Sequence, residues 1–534
     1  DALAKRFVED GFVLPEAKSG IAWLDRDTLL VGTNWGEGSL TESGYPRVAK
    51  RWKRGTPLAK AETVFEGRRE DIGIWPRVLD SGEATLPMID QSLTFYTGAY
   101  HLIGGGGKLR RLPLPESVDL AGFYAGRILF TLRDAWEVAG RTFPEGALLA
   151  IDAAAFRESG ELPSIETVYT PDDRTSIEGV TVSRSGLYVS LLQNVKGSIL
   201  RFDVEAKSGE WRAEPLPLPP SGTVSLSAAN PHSGTVFVNY EDPITPDRLS
   251  EYDAGANVLT RLKALPARFR ADGLQVSQHT VRSADGEAVP YFVIHRKGLK
   301  PDGSTPTILY GYGGFEISLK PSYSATIGKL WLERGGAYIL GNMRGGGEFG
   351  PNWHQSAIRE NKQRTWDDFI AIAEDAIARG ITSPEHLGIQ GGSQGGLLVG
   401  TAFTQRPELF NAAIVQIPLF DMLRYHEIGR GASWIGEYGD PRIPEQRAWI
   451  EPYSPYQKLL EGKNYPAPFF WASTADDRTH PAHARKGAAR VKELGQDYYY
   501  FEDTTGGHSG GVDNEQRARL QALQMIYLLQ RLAD

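Results

Sequence analysis

The sequence has 534 residues, and its 58 Lys and Arg against 66 Asp and Glu give a net charge of −8 at pH 7. The length predicts more than one domain, and the charge balance gives no reason to expect a nucleic-acid partner. The sequence contains no cysteine, which excludes disulfides, thiol nucleophiles and cysteine metal sites. No apolar run reaches the ~18 residues of a membrane span, so we expect no membrane partner.

The sequence begins at Asp1, and no signal-like segment follows it. We therefore predict a cytoplasmic protein, with the periplasm or secretion as alternatives if the natural N-terminus lies further upstream. The oligomeric state stays open at this level.

Short strands separated by turn residues dominate the first half of the sequence, where long amphipathic helices are scarce. Many short strands at even spacing are typical of a β-sandwich, a barrel or a propeller. The runs that we assign as strands include residues 21–24, 28–31, 186–191, 198–204, 224–227, 235–240 and 248–252.

An internal repeat favours the propeller among these folds. Glu-Thr-Val-Phe at residues 62–65 recurs 104 residues later as Glu-Thr-Val-Tyr, and Leu-Pro-Leu-Pro at 112–115 recurs at the same distance. The two series interleave and mark units close to the ~40–50 residues of a four-stranded blade. Their junctions fall near Pro15, Gly67, Pro115, Pro171 and Pro219. We predict an incomplete β-propeller domain of about five blades over residues 1–265, with a generic β-sandwich array as the alternative.

From about residue 273 the pattern changes, because buried-type strands now alternate with helices. This alternation is typical of a mostly parallel sheet that is covered by helices. One helix is predicted after Thr365, with Thr365 as its N-cap and Gly380 at its end. The predicted strands are residues 307–310, 337–341, 386–390, 412–416, 468–473 and 498–502.

Ser393 is the candidate nucleophile. It lies in Gly-Gly-Ser-Gln-Gly-Gly at residues 391–396, between a predicted strand and a helix that begins at Gln394. This is Gly-x-Ser-x-Gly in the strand–turn–helix context of an α/β-hydrolase. Glycines are needed because side chains beside the serine would clash in so sharp a turn. We therefore predict a doubly wound α/β-hydrolase domain with a mostly parallel sheet over residues 266–534.

A serine hydroxyl needs a general base, and His508 is the best candidate. In this fold the acid and then the histidine follow the serine in the chain, each on a loop after a later strand. His508 directly follows the strand at 498–502, whereas His480 and His483 flank a proline at a helix start. His426 is the remaining histidine after Ser393.

The triad acid is predicted in the loop after the strand at 468–473, which offers Asp476 and Asp477. An aspartate there would accept the N–H of the imidazole and stabilise the imidazolium. The residue pattern does not separate the two, and Asp497 and Asp503 lie on the wrong strand.

The oxyanion hole needs two donors, of which the first is predicted to be the backbone N–H of Gln394. The second should come from Gly-Tyr-Gly-Gly-Phe at residues 311–315, through the backbone or the hydroxyl of Tyr312. The alternative interpretation is that these glycines only form a turn.

Taken together, these segments resemble the prolyl oligopeptidase family. The resemblance spans residues 267–534 and implies that Asp476 is the triad acid and that the Tyr312 hydroxyl joins the Gln394 amide in the oxyanion hole. It also implies that Arg478 holds a substrate carbonyl, which suits its fixed fork of donors. The matching segments are residues 310–315, 344–350, 391–396, 476–478 and 507–508.

The same resemblance implies a substrate pocket for proline, formed by Trp434, Tyr438 and Phe315. A flat, rigid proline ring can stack on an indole. Leu419 and Thr479 occupy pocket positions where the family tends to have valine, and the hydroxyl of Thr479 predicts a slightly more polar pocket.

The resemblance implies the architecture of this family, which is a seven-bladed propeller on a hydrolase domain, preceded by an N-terminal segment. Since we count about five blades, we expect this sequence to lack that segment and roughly two blades. A gene that starts at Asp1 would contradict this expectation.

The resemblance implies a serine peptidase that cleaves short proline-containing peptides on the carboxyl side of proline, without a metal or cofactor. A broader acyl peptidase or an esterase is the first alternative, because acyl transfer chemistry is shared. A non-catalytic propeller binding protein or an inactive fragment is the second, and the complete Ser393, Asp476 and His508 set argues against it.

Overall fold

The short strands of the first half form five four-stranded antiparallel sheets, which are the blades of a β-propeller. We describe the chain from a computed structural model, which covers residues 3–9, 11–205 and 209–533. Blades one and two contain β1 Gly20–Asp25, β2 Thr28–Gly32, β3 Val48–Lys53, β4 Glu62–Glu66, β5 Gly73–Asp80, β6 Thr85–Ser92, β7 Gly98–Ile103 and β8 Leu109–Arg111.

Blade three carries an additional hairpin and a short helix. Its strands are β9 Val118–Tyr124, β10 Arg127–Leu132, β13 Leu148–Asp152 and β14 Ile165–Tyr169, and the additions are β11 Trp136–Val138, β12 Arg141–Phe143 and α1 Ala153–Ser159. Blades four and five contain β15 Thr175–Ser183, β16 Gly186–Gln193, β17 Lys196–Val204, β18 Trp211–Pro215, β19 Thr223–Ala229, β20 Val236–Asp242, β21 Thr245–Asp253 and β22 Val258–Ala264.

The prediction of about five blades is confirmed. The predicted junctions at Gly67, Pro115, Pro171 and Pro219 all fall in the connections between blades. Apolar side chains alternate along these strands, so each blade presents apolar residues to its neighbours. Ile74 and Ile89 of blade two, for example, pack in one cluster with Leu30 of blade one.

The second half is built on one eight-stranded sheet, which confirms the α/β-hydrolase prediction. Its order is β23-β24-β26-β25-β27-β28-β29-β30. The pairs β23–β24 and β24–β26 are antiparallel, and all pairs from β26 to β30 are parallel. The strands are β23 Leu274–Arg282, β24 Ala288–Arg296, β25 Thr307–Tyr310, β26 Ala337–Gly341, β27 Leu387–Gly392, β28 Ala412–Gln416, β29 Pro468–Ser473 and β30 Tyr499–Asp503.

Helices fill the connections between these strands, and a last helix follows β30. They are α2 Ala325–Leu330, α3 Pro351–Gln355, α4 Gln363–Ala378, α5 Gln394–Gln405, α6 Ile435–Tyr438, α7 Pro444–Ile450, α8 Pro455–Lys458, α9 Ala482–Glu493 and α10 Asn514–Leu532. Helix α5 is buried along nearly its whole length because it packs on β27 and β28 and against α4. This rigid position matters because α5 begins directly after Ser393.

The propeller lies against the loops of the hydrolase domain and encloses a cavity of about 1020 Å³ with them. The cavity is lined from both sides, by Phe95, Tyr96 and Arg133 of the propeller and by Phe315 and Glu316 of the hydrolase domain, among others. The last blade ends at Ala264 and the mixed sheet begins at Leu274, while the predicted domain boundary at residue 265 stays a prediction. Across the described ranges, no helix is both long and apolar enough to span a bilayer.

Candidate active site

Ser393 stands at the turn between β27 and α5 in a conformation that few residues adopt. Its φ is 59° and its ψ is −116°, and such a backbone persists only where the surroundings hold it. The Ser393 N–H donates to the Gln416 carbonyl at 2.9 Å, and the Ser393 carbonyl accepts from the Gly396 N–H at 2.9 Å. The turn therefore has the backbone of a nucleophile elbow.

The neighbouring glycines are required by close backbone contacts. A Cβ at Gly391 would lie 2.3 Å from the Gly395 carbonyl oxygen, and one at Gly395 would lie 2.6 Å from the Gly311 carbonyl oxygen. Neither carbonyl can move without distorting helix α5 or the loop at residues 311–315, which we call the oxyanion loop, so no larger residue fits at these two positions.

Asp476 lies in the loop after β29, and four donors surround its carboxylate. Its Oδ1 accepts the N–H groups of Arg478 at 2.9 Å and Thr479 at 3.2 Å. Its Oδ2 accepts the Thr479 hydroxyl at 2.8 Å and contacts His508 Nδ1 at 2.8 Å. Burial opposes the charge, but the hydrogen bonds from His508 and Thr479 lower the pKa of Asp476 below its ordinary value.

The geometry distinguishes Asp476 from Asp477, between which the residue pattern alone could not choose the partner of His508. Asp477 is exposed and its carboxylate pairs with Lys18 of the propeller half at 2.7 Å, whereas Asp476 is buried and contacts His508. Asp503 is also occupied elsewhere, because it accepts the Thr505 and Gly506 N–H groups of its own loop.

His508 follows β30 and is oriented by Asp476. Among the described residues its hydrogen bonds are made by Nδ1, to Asp476 and at 3.4 Å to Thr479, and none joins it to the Ser393 hydroxyl. The Nδ1–H tautomer that this contact favours leaves Nε2 as a free base. Catalytic hydrogen bonds are often long in unliganded enzymes and shorten when substrate binds.

His483 has a structural environment instead. It is fully buried, and its Nδ1 accepts the Phe420 and Asp421 N–H groups at 3.1 Å each. Burial lowers the pKa of His483 to about 3, so it stays neutral and fixes the backbone of the loop that carries Leu419.

The predicted oxyanion donors lie on either side of the elbow. Gln394 is the first residue of α5, and its side-chain Nε2 donates to the Gly313 carbonyl at 3.0 Å, which ties the helix to the loop at 311–315. Burial and Glu437 raise the pKa of Tyr312, while Arg478 and a hydrogen bond with Ser393 act in the opposite direction. The Tyr312 hydroxyl is thus protonated at neutral pH and able to donate near Ser393.

The predicted pocket residues form one aromatic cluster. The ring of Phe315 lies 6.4 Å from Trp434 and 5.9 Å from Tyr438, with both pairs edge-to-face. Tyr438 donates its hydroxyl to Gln394 Oε1. Leu419 is buried within the same hydrophobic core, and Arg478 lies exposed next to the acid loop.

Phe95 of the propeller completes this cluster, and no pattern in the sequence indicated it. Its ring lies 5.3 Å from Phe315, although 220 residues separate the two in the chain. The pocket is therefore shared between the two domains.

A buried polar network, which we call the Glu437 network, lies behind the pocket and was also missed. It consists of Glu437, Lys362, His354 and Tyr96, all joined at the Glu437 carboxylate. Lys362 Nζ is 2.7 Å from one oxygen and His354 Nε2 is 2.8 Å from the other, to which Tyr96 of the propeller donates its hydroxyl. Burial alone would raise the pKa of Glu437, but Lys362 and His354 lower it to about 2.

The Glu437 network also holds the oxyanion loop. Lys362 Nζ donates to the Gly313 carbonyl at 3.0 Å, and the Phe315 N–H donates to Glu437 at 3.3 Å. Within the described ranges, no cluster of three or more His, Asp and Glu side chains is arranged as a metal site.

Comparisons with known proteins agree with this architecture. The sequence profile of the prolyl oligopeptidase family matches residues 321–534. The uncharacterized peptidase y4nA of Sinorhizobium fredii (strain NBRC 101917 / NGR234) is 41% identical over 547 aligned residues, which cover 100% of this chain and 74% of that protein. The prolyl endopeptidase of Elizabethkingia miricola is 33% identical over 64% of this chain and 48% of its own length.

A solved structure matches the whole chain. The post-proline cleaving enzyme from Rickettsia typhi superposes with a TM-score of 0.95 at 30% identity, over 100% of this chain and 79% of that one. The propeller and the hydrolase domain are thus arranged in both proteins in the same way.

Proposed function

The chain belongs to the prolyl oligopeptidase family of serine peptidases, and on this premise we propose that it hydrolyses short peptides on the carboxyl side of proline, with Ser393 as the nucleophile. The observation that carries the proposal is the joint presence of a strained elbow at Ser393 and a His508–Asp476 pair at 2.8 Å, on loops at the carboxyl edge of one sheet. The aromatic cluster beside them supports proline as the residue before the cleaved bond.

In the first step, His508 Nε2 takes the proton of the Ser393 hydroxyl while Oγ attacks the carbonyl carbon of the substrate. Asp476 stabilises the imidazolium that forms. The oxyanion is held by the Gln394 N–H at the start of α5 and by the Tyr312 hydroxyl, and removing one such donor typically costs about 10²–10³ in rate.

In the second step, His508 gives its proton to the leaving amine, the C–N bond breaks, and an ester of Ser393 remains. Water then attacks this ester with His508 again as the base, which releases the acid and restores the hydroxyl. The proposed reaction is complete with protein groups and water alone.

The pocket formed by Phe315, Trp434 and Tyr438 supports the proposed preference for proline. Its edge-to-face rings leave flat apolar surfaces on which a pyrrolidine ring can stack. Because proline has no backbone N–H, its burial there leaves no backbone donor without a partner. Arg478 is proposed to hold a substrate carbonyl. We further propose that the cavity between the domains admits oligopeptides and excludes folded proteins, and that the protein acts in the cytoplasm.

The test compares chromogenic amides that differ only in the residue before the cleaved bond, alanyl-proline against alanyl-alanine. We expect turnover of the prolyl amide with a large preference in kcat/KM, and labelling by a fluorophosphonate probe. Ser393→Ala should reduce turnover by several orders of magnitude and abolish labelling. Ser383→Ala, in the connection that precedes β27, is the matched control and should keep full activity.

Equal cleavage of both amides would leave the serine peptidase and contradict the proline preference, in favour of a broader acyl peptidase. Labelling of Ser393→Ala at the parent rate would contradict the nucleophile itself.

A further inference from the structure

We propose that Thr479 is a positioning residue for Asp476, because one side chain and its own backbone N–H together hold both carboxylate oxygens. This inference rests on the proposed function, in which Asp476 is the triad acid. It gives Thr479 a role different from lining the substrate pocket.

The contacts of Thr479 define this role. Its N–H donates to Asp476 Oδ1 at 3.2 Å, and its hydroxyl lies 2.8 Å from Oδ2 and 3.1 Å from the Ile417 carbonyl oxygen. The residue is only 2% exposed, so no water can replace the hydroxyl readily. Two donors from one residue fix both the position and the rotation of the carboxylate plane.

The rotation matters because Oδ2 is also the oxygen that orients His508. The same Thr479 hydroxyl lies 3.4 Å from His508 Nδ1. Asp476 Oδ2, His508 Nδ1 and the Thr479 hydroxyl are therefore all within hydrogen-bond distance of one another. A carboxylate with one oxygen free to swing would hold the imidazole less firmly for proton transfer.

The hydroxyl also affects the charge that His508 experiences. A hydrogen bond to Oδ2 withdraws electron density from the oxygen that faces the imidazolium. Valine has nearly the same shape as threonine but no donor. Loss of the hydroxyl should therefore strengthen the attraction between Asp476 and protonated His508.

The remaining charged and titratable groups near Asp476 are unchanged by a substitution at Thr479. Asp477 is paired with Lys18 and Arg430, and the other neighbours of the loop are Arg478, His480 and His483. A shift in a pH profile can thus be assigned to the hydroxyl.

The test compares Thr479→Val, which removes the hydroxyl and keeps the shape, with Thr479→Ser, which keeps the hydroxyl. For Thr479→Val we expect kcat/KM on the prolyl amide to fall about tenfold, mainly in kcat, on the scale of a hydrogen bond to a charged group. The acidic limb of the kcat/KM profile should move up by roughly half a pH unit. Thr479→Ser should stay within about threefold of the parent, with an unmoved acidic limb.

The preference for proline over alanine distinguishes the two roles of Thr479. A positioning role predicts the same preference in all variants, since both substrates use the same triad. A changed preference with an unmoved pH profile would overturn the proposal and assign Thr479 to the pocket. Parent-like kcat and pH profile in Thr479→Val would overturn it as well.

Two controls keep the outcome clear. Thr479→Ala removes the same hydroxyl and is measured in parallel, so that poor folding of one variant does not decide the result. The parent is assayed first: an inactive parent contradicts the proposed function, whereas an active parent with parent-like variants contradicts only the role of Thr479.

Discussion

At the acid end of the site, Asp476 and His508 lie on loops of one sheet, and the donors that hold Asp476 come from its own loop and from His508. At the pocket end, the loop with Gly313 and Phe315 is held by Glu437, which itself accepts a hydrogen bond from Tyr96 of the propeller. The first arrangement depends on a single domain. The second needs both domains in contact.

The two ends of the site should therefore respond differently to changes at the domain interface. Proton transfer from Ser393 to His508, which Asp476 supports, should tolerate changes at the domain interface. Among the described residues, no propeller side chain makes a hydrogen bond or ion pair with Asp476 or His508. Binding of proline and the oxyanion should respond to such changes, because Phe95 and Tyr96 complete the pocket and the Glu437 network.

The largest effect is expected from Lys362→Met, which removes a cation of the Glu437 network at the pocket end. Lys362 and Glu437 both have fully buried side chains, so the substitution leaves a buried carboxylate without its cation. Breaking such a pair costs about 3–5 kcal/mol. We expect a loss of this order in the free energy of unfolding of the hydrolase domain, measured by urea denaturation, together with a fall in kcat/KM.

The double variant Lys362→Met, Glu437→Gln is the control for this prediction. It removes the stranded charge, and we expect it to recover part of the stability that Lys362→Met loses. A double variant as unstable as the sum of the two single variants would show that the pair is not coupled.

A pH-dependent effect is expected from Glu348, which lies at the interface side of the hydrolase domain. Its carbonyl accepts the Ser176 hydroxyl of the propeller, and burial raises the pKa of its carboxyl to about 8, against hydrogen bonds from Leu319 N–H and Asn342 that lower it. The folded state therefore keeps a proton that the unfolded chain releases from about pH 4.5 upward. Stability is fully present below that pH and is lost as the pH rises toward 8.

Glu348→Gln stays neutral and can still accept the Leu319 N–H. We expect the free energy of unfolding of the parent, measured in urea and taken relative to that of Glu348→Gln, to fall between pH 5 and pH 8 by at most about 1.4 kcal/mol per pH unit. The exposed Glu287→Gln should follow the parent. Parallel curves for the parent and Glu348→Gln would contradict the raised pKa.

A smaller effect is expected from Tyr96→Phe, which removes the propeller's hydrogen bond to Glu437 and keeps the ring. We expect kcat/KM on the prolyl amide to fall about tenfold, which is the scale of a hydrogen bond to a charged group. The acidic limb of the kcat/KM pH profile should not move, because the substitution removes no hydrogen bond of Asp476 or His508. Tyr124→Phe, whose hydroxyl bonds Asp203 within the propeller, is the matched control and should keep the parent's activity.

A shift of the acidic limb in Tyr96→Phe would contradict the independence of the two ends, because it would show that a change at the domain interface affects His508. An unchanged kcat/KM would show that Tyr96 is dispensable for the pocket.

The sequence predicted those parts of the molecule that depend on local patterns. Blade junctions follow from repeated turn residues, and the elbow at Ser393 follows from glycines that a sharp strand-to-helix turn requires. The order of Ser393, Asp476 and His508 follows from the succession of strands and loops. The choice between Asp476 and Asp477 needed the structure, because only the fold shows which carboxylate faces His508.

The misses share one physical cause, which is a partner distant in the chain. Thr365 was predicted to cap its helix, but α4 begins at Gln363 and the Thr365 hydroxyl donates to the Arg344 carbonyl at 2.9 Å. Tyr96 and Glu437 are 341 residues apart, and nothing in either segment indicates the other. A tertiary hydrogen bond leaves no local periodicity, so composition and spacing cannot reveal it.

The smallest effect is expected at Lys18 and Asp477, a propeller contact that lies next to the acid end. The pair is 2.7 Å apart, but the side chains are 36% and 57% exposed, and exposed pairs contribute about 0–1 kcal/mol. We expect Lys18→Met and Asp477→Asn to change kcat/KM by less than about twofold, and less still in 0.5 M salt, where screening is stronger. A loss of more than about fivefold that persists in high salt would mean that the propeller also positions Asp476. The acid end would then depend on both domains, just as the pocket end does.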